Sequence, residues 1–308
     1  MKAKNKKSVE IIPLLPGKKR VMINVLAMAL IGVITGFGIG MYFVSHQLDP
    51  NRYNFDVSSL QDNVAEIRLE ANGKTPVELG ATKSCVLAFD TTFKMERLQI
   101  VGKGLVKAKA LGVTVNQTID ALTIRVNDKI YFENISVSKF AKAINRFYAV
   151  DDTIEHYQGE ISGNTVSWGQ NPLTDIKNMD EYQAKYSCTL TDYMTYIVSS
   201  KTVVSESSVE IDENGNYVFE LELDKSKSVV NYVKNMKATG GLSEYPDFTS
   251  NPIITLTIDS NYRILTFKSR ETYDAQMGIT ASSVGTLTNT FSYDQDFTIP
   301  AKTDKSYI

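Results

Sequence analysis

The chain has 308 residues, 43% hydrophobic and 22% charged, enough to bury a sizeable core in one or two domains and too apolar for an intrinsically disordered chain. Its charge is uneven: residues 1–20 carry seven basic side chains against Glu10, whereas residues 45–308 carry 26 basic and 34 acidic ones, a net of −8. That balance excludes nucleic acid as a partner, because binding it needs clustered Lys and Arg to neutralise phosphates.

No residue from Val21 to Val44 is charged. As a helix this stretch is about 36 Å long, enough to cross a hydrocarbon core of about 30 Å with some tilt. Basic residues precede it and Asp49 and Asp56 follow, so the positive-inside rule puts residues 1–20 in the cytoplasm and the remainder outside the cell membrane. The run exceeds the apolar stretch of about 7–15 residues in a cleavable signal peptide and lacks an A-x-A site, which predicts a single-pass signal anchor at 21–44. Gly32, Gly36 and Gly40 recur every four residues and form a candidate helix-packing face. Residues 45–57, interrupted by Asp49-Pro50-Asn51, read as a tether that reaches at most about 45 Å.

Beyond the tether, Ser58 or Ser59 caps an expected helix carrying Leu60, Val64, Ile67 and Ala71, stopped by Asn72-Gly73. From Val77 to Ser136 the texture becomes short β-branched runs, among them Cys85 to Phe93, Arg97 to Val101, Leu105 to Val115 and Ala121 to Val126, with a hairpin turn at Asn127-Asp128. The stripe Phe140, Ile144 and Phe147 predicts a helix from Val137 to Ala149, and residues 151–181 show no regular period. Strand texture resumes from Tyr186 to Ile211, and after a turn at Asp212-Glu213-Asn214-Gly215 the run Tyr217 to Asp224 alternates cleanly. Lys225 to Ala238 reads as a helix ended by Gly240-Gly241. Three strands follow, 253–258, 262–273 and 278–293, the last with an expected bulge near Ser283-Val284.

The alternating strand Tyr217 to Asp224, the helix through Met236, the hairpin around Asp259-Ser260-Asn261 and the long last strand closing at Ile299-Pro300 together resemble the LolA-like and LppX-like envelope carriers. The resemblance covers roughly residues 60–300. It implies an α+β fold: a curved antiparallel half-barrel, here residues 58–300 with a tail at 301–308, whose helices lie on the concave face, with a lipid or other apolar molecule as ligand. Tyr217, Phe219, Leu221, Leu256, Ile258, Leu265, Phe267, Leu287 and Phe291 would then face the concave side, either as core or as the lining of a ligand site.

Catalytic chemistry finds no foothold. The chain has two histidines, His46 and His156, too few for a triad beside a multi-histidine metal site, and H-E-x-x-H, G-x-S-x-G and Walker patterns are missing. Ser136-Val137-Ser138-Lys139 matches S-x-x-K without its companion motifs. Asp212, Asn214 and Asn216 imitate a calcium loop, but Tyr217 stands where that loop needs Gly. Asp151, Asp152 and Glu155 read as solvated turn residues. No catalytic residue, metal ligand or cofactor is therefore assigned. Cys85 and Cys188 would lie in an oxidising compartment, as a disulfide or as two buried thiols. These features point to non-catalytic binding of a lipid or apolar ligand at the membrane; the alternative is an accessory or sensor module that docks on another envelope protein.

Overall fold

The computed structural model describes residues 53, 56–139, 141–168, 172–173, 175–186, 188–190, 196–240, 242, 244–276 and 280–300. Residues 1–20, the expected span with Gly32, Gly36 and Gly40, and the tail 301–308 lie outside them. No helix among the described residues is long and apolar enough to cross a membrane.

The described strands are β1 (Arg97–Ala110), β2 (Val113–Val126), β3 (Lys129–Ser138), β4 (Lys142–Val150), β5 (Thr153–Ser162), β6 (Thr165–Trp168), β7 (Val203–Glu206), β8 (Glu210–Ile211), β9 (Tyr217–Leu223), β10 (Asp247–Phe248), β11 (Ile253–Ile258), β12 (Ile264–Gln276) and β13 (Thr280–Tyr293). They form one open, curved sheet in the order β6-β5-β4-β3-β2-β1-β13-β12-β11-β9-β7, with β8 on β9 and β10 on β12, and every pairing is antiparallel. Two meanders thus meet at β1 and β13, which stay in register from Leu98 opposite Tyr293 to Lys109 opposite Ser282.

Strand alternation decides what each face holds. On β1 the even positions Leu98, Ile100, Gly102, Val106, Ala108 and Ala110 are buried on the concave face, while Val101, Lys103, Lys107 and Lys109 are exposed on the convex one. Five helices are described: α1 (Val64–Glu70), α2 (Pro76–Leu79), α3 (Ala81–Phe93), α4 (Met179–Tyr186) and α5 (Val230–Gly240). Asn63 caps α1 by accepting from the Ala65 and Glu66 amides, so the expected caps Ser58 and Ser59 sit instead in a preceding 3-10 turn, Val57–Leu60. Thr75 and Glu78 close a capping box around Pro76 in α2.

Three expectations are corrected. Cys85 to Phe93 is not a strand but the body of α3, whose buried residues Ala81, Ser84, Cys85, Ala88 and Thr92 follow helical spacing. Val137 to Ala149 is not a helix: it is the end of β3, a turn and most of β4. Every β4 residue from Ala143 to Ala149 is buried, so both faces are covered and alternation leaves no trace in hydrophobicity. The irregular stretch 151–181 contains β5, β6 and the start of α4. The bulge also lies elsewhere. β13 pairs without a break past Ser283 and Val284, whereas β12 carries one extra residue, Leu265, between Ile264 opposite Ile258 and Thr266 opposite Thr257.

The cysteines do not pair. Cys85 and Cys188 are both buried outside any disulfide: Cys85 lies in the cluster under α3, and Cys188 packs with Tyr182 and Tyr186 in a different cluster. Thiol titration without reductant should therefore give no fast-reacting group in the native chain and two after unfolding; a chain with none on unfolding would contain the disulfide. In denaturant melts Leu256→Ala, at a fully buried site, should lose about 2–5 kcal/mol, and Leu69→Ala, 78% exposed on α1, less than about 0.5 kcal/mol.

Candidate functional site

Three apolar clusters frame the concave face. Under α3, the side chains Leu98, Ile100, Phe219, Leu221, Leu256, Ile258, Phe267 and Phe291 pack with Ala81, Cys85 and Ala88. At the other end of the strands, Val229 with the α5 residues Val230, Val233 and Met236 packs with Phe248, Tyr273 and Ala275. Toward β4 and β5, Tyr182 and Tyr186 of α4 pack with Phe147, Ala149 and Ile154.

Between these clusters the inward residues change character. One rung runs Phe267, Asn289, Gly102, Ala121, Asn134, Asn145, Gln158 from β12 to β5. The next runs Ser269, Leu287, Gly104, Ile119, Ser136, Ala143, Glu160, and a third Glu271, Gly285, Val106, Gln117, Ser138. Where β13, β1 and β2 meet, Gly102, Gly104, Gly285 and Ala121 alternate with Leu287, Ile119 and Val106, and the amides Asn289 and Gln117 stand beside them.

Several of these polar atoms are buried without a partner. Both side-chain atoms of Asn289, Oδ1 of Asn134, Oε1 of Gln117 and Oγ1 of Thr123 make no hydrogen bond. Asn289 and Gln117 are fully buried and Thr123 is 1% exposed. Buried polar groups in folded proteins are nearly always paired, since an unpaired one costs about 1–3 kcal/mol. Five such atoms therefore lie together on one face as hydrogen-bonding capacity that the fold leaves unused. None of the inward residues in the three rungs is basic, so the floor offers no cation to a phosphate.

Glu271 forms the carboxyl edge of this floor. Its oxygens accept from the Tyr196 hydroxyl at 2.5 Å and the Tyr232 hydroxyl at 2.9 Å. Gly285 opposite it is a requirement of space, because a Cβ there would lie 2.9 Å from Glu271 Oε1. Burial pushes the Glu271 carboxyl above its ordinary range, with the two tyrosine hydroxyls pulling the other way. At the far margin His156 stacks on Phe147 at 4.1 Å and contacts Asp175 through Nδ1 at 3.1 Å, and Lys185 donates to the same carboxylate at 2.8 Å. This histidine is held in place by ring stacking and its hydrogen-bond contact to Asp175. No cluster of three or more His, Cys, Asp or Glu with metal-binding geometry occurs among the described residues.

Of the nine apolar residues expected on the concave side, Phe219, Leu221, Leu256, Ile258, Phe267 and Phe291 come together as solid core beneath α3. Tyr217 is half-buried at the margin of that core, Leu265 is the half-buried extra residue of the β12 bulge, and Leu287 is half-buried on the floor itself. Asn289, Asn134, Gln117, Thr123, Glu271 and the glycines were not anticipated. For some of them the signal was present: Gln117 occupies the inward parity between Val115 and Ile119, and Asn289 between Leu287 and Phe291.

The open, curved antiparallel sheet agrees with the half-barrel expected from the sequence. No family model matches the chain, and no curated protein matches it in sequence. Among solved structures it is similar to a DUF1329 family protein from Desulfovibrio piger, with 12% identity over 73% of this chain and 96% of that one and a TM-score of 0.27. It is also similar to an outer membrane lipoprotein-sorting protein domain from Vibrio parahaemolyticus, with 9% identity over 77% and 95% and a TM-score of 0.24. The ywiB protein of Bacillus subtilis gives 6% identity over 65% and 94% and a TM-score of 0.18. Likenesses of this size say nothing about ligands.

The raised Glu271 pKa has a consequence for stability. The folded state holds this proton more tightly than the unfolded state, so the stabilisation is complete below the ordinary value of 4.5 and is lost as pH rises through the folded-state value. Glu271→Gln removes that dependence while keeping a partner for the tyrosines. The variant should gain on the parent chain as pH rises from 4.5 to 8 in denaturant midpoints, and a difference constant with pH would show that the carboxyl carries no such cost.

Proposed function

We propose that the chain is a membrane-anchored, extracytoplasmic binding protein, without catalytic chemistry, that holds a lipid or other amphiphilic ligand on the concave floor of its half-barrel. The observation that carries this reading is the set of unpartnered buried polar atoms at Asn289, Asn134, Gln117 and Thr123 beside the small residues Gly102, Gly104 and Ala121, between apolar clusters. Apolar surroundings favour hydrocarbon, and the unpaired amides favour an uncharged polar group such as an ester, amide or hydroxyl. Anchoring rests on the uncharged run 21–44 and its basic flank, and the short tether confines action to the membrane surface.

Native mass spectrometry and lipid extraction of the purified full chain test the reading. A co-purifying amphiphile is expected at about one per chain. Asn289→Leu separates ligand binding from structure: removing an unpaired buried amide should stabilise the empty chain by about 1 kcal/mol, yet lower ligand retention roughly tenfold. A chain that carries no lipid, or a variant that retains ligand unchanged, rules the floor out as the site. A protein recovered in constant stoichiometry instead of lipid would favour an accessory module.

A further inference from the structure

The hairpin between β1 and β2 turns through two residues, Leu111 and Gly112, both at positive φ, 48° and 78°. A leucine is strained in that left-handed region, which suits Asn, Asp and Gly. The chain observes this rule in its other two-residue hairpins among the described residues, where the corresponding positions are Asn127, Asp151 and Gly163, at φ 55°, 54° and 59°. Leu111 breaks it and is also 63% exposed. An apolar side chain held in water on a disfavoured backbone is doubly costly to a free domain.

Charge separates the two ends of the sheet. At the Leu111 end of the sheet the exposed side chains include Lys107 and Lys109 on β1 and Lys142 at the start of β4, against exposed Glu160 and half-buried Asp274. Lys107, Lys109 and Lys142 form no ion pair among the described residues. The turns at the opposite end expose Asp128, Asp151, Asp152 and Glu213.

The tether joins the domain at the Leu111 end. Tyr53 is buried, meets Tyr245 edge-on at 5.4 Å, and shares a cluster with Tyr273 and Ala275. Ala275 is opposite Ala281, and Ser282 is opposite Lys109, two residues before the tip. Between Val44 and Tyr53 nine residues reach at most about 30 Å.

We infer that this end of the sheet is the bilayer-facing surface of the domain, with Leu111 entering the acyl region and Lys107, Lys109 and Lys142 meeting anionic headgroups of the outer leaflet. The inference rests on the anchoring reading above. An exposed leucine at the same end of the sheet as lysines without an ion pair among the described residues matches an anionic interface in both depth and charge, and the acidic turns at the far end keep the opposite orientation unfavourable.

The test uses the full chain reconstituted into phosphatidylglycerol/phosphatidylcholine vesicles, with a polarity-sensitive fluorophore on Leu111→Cys and, separately, on Asp128→Cys; Cys85 and Cys188 are buried and stay unlabelled. The label at position 111 should shift to the blue and be quenched by spin-labelled lipid, and the label at 128 should do neither. Lys107→Glu with Lys109→Glu should abolish the shift. Leu111→Asn should raise the melting temperature, whereas a leucine needed for folding would lower it. Vesicle-bound chain with a water-like signal at 111, or equal signals at both positions, overturns this inference alone. Chain that fails to float with the vesicles overturns the anchoring reading with it.

Discussion

The pairing of β1 with β13 holds the architecture together. These strands are the first long strand and the last, and each is also the margin of its own meander, so their shared ladder is what makes one sheet of two. Because side chains alternate with a period of two, the register between Leu98 and Tyr293 also decides that Asn289 stands beside Gly102 on the concave side. A slip of one residue would turn Asn289, Leu287 and Gly285 outward and bring a row of threonines in. Every rung across the floor inherits its composition from this junction, whereas the room that Gly285 leaves for Glu271 is set by the register of β12 with β13.

The two meanders solve burial differently. In the C-terminal one, β9 is apolar on its concave face and polar outside, as its carboxylates Glu220 and Glu222 show. In the N-terminal one, β4 is covered on both faces. On its convex side the ion pair of Arg146 with Glu133 is buried, Tyr131 donates to the same carboxylate at 2.7 Å, and the Arg146 guanidinium lies 5.1 Å from the Trp168 ring centre. Charges taken so far out of water are tolerable only with such complete pairing. Gly159 makes room here too, since a Cβ on it would run into Val166 and Trp168.

This difference explains what could be read from the sequence. Tyr217 to Leu223 and Ile253 to Ile258 were legible because one face is wet and alternation survives in the residue types, and the hairpin at Asn127-Asp128 because its turn residues suit the left-handed backbone there. β4 was not, because burial on both sides lets Ile144, Arg146 and Phe147 imitate a helical stripe. α3 was misread for the opposite reason: threonine, valine and phenylalanine are strand formers by propensity, and only its contact with the sheet overrides them. The site was half legible. Apolar residues announced the core around it, whereas the floor is built from glycines and lone amides whose meaning depends on neighbours more than a hundred residues away, such as Asn289 beside Gly102.

The same junction has a consequence for how the chain acquires its structure. From the synthesis of residue 110 until residues 280–293 have returned, β1 presents a long unpaired edge, fourteen residues of backbone donors and acceptors. A contact of such high sequence separation forms slowly, since the intervening chain must be ordered or restrained before the ladder rewards it. The nascent N-terminal meander therefore passes through a period in which β-strand addition by another chain competes with its own last strand, and escort of that open edge becomes as much a condition of a working molecule as the finished fold.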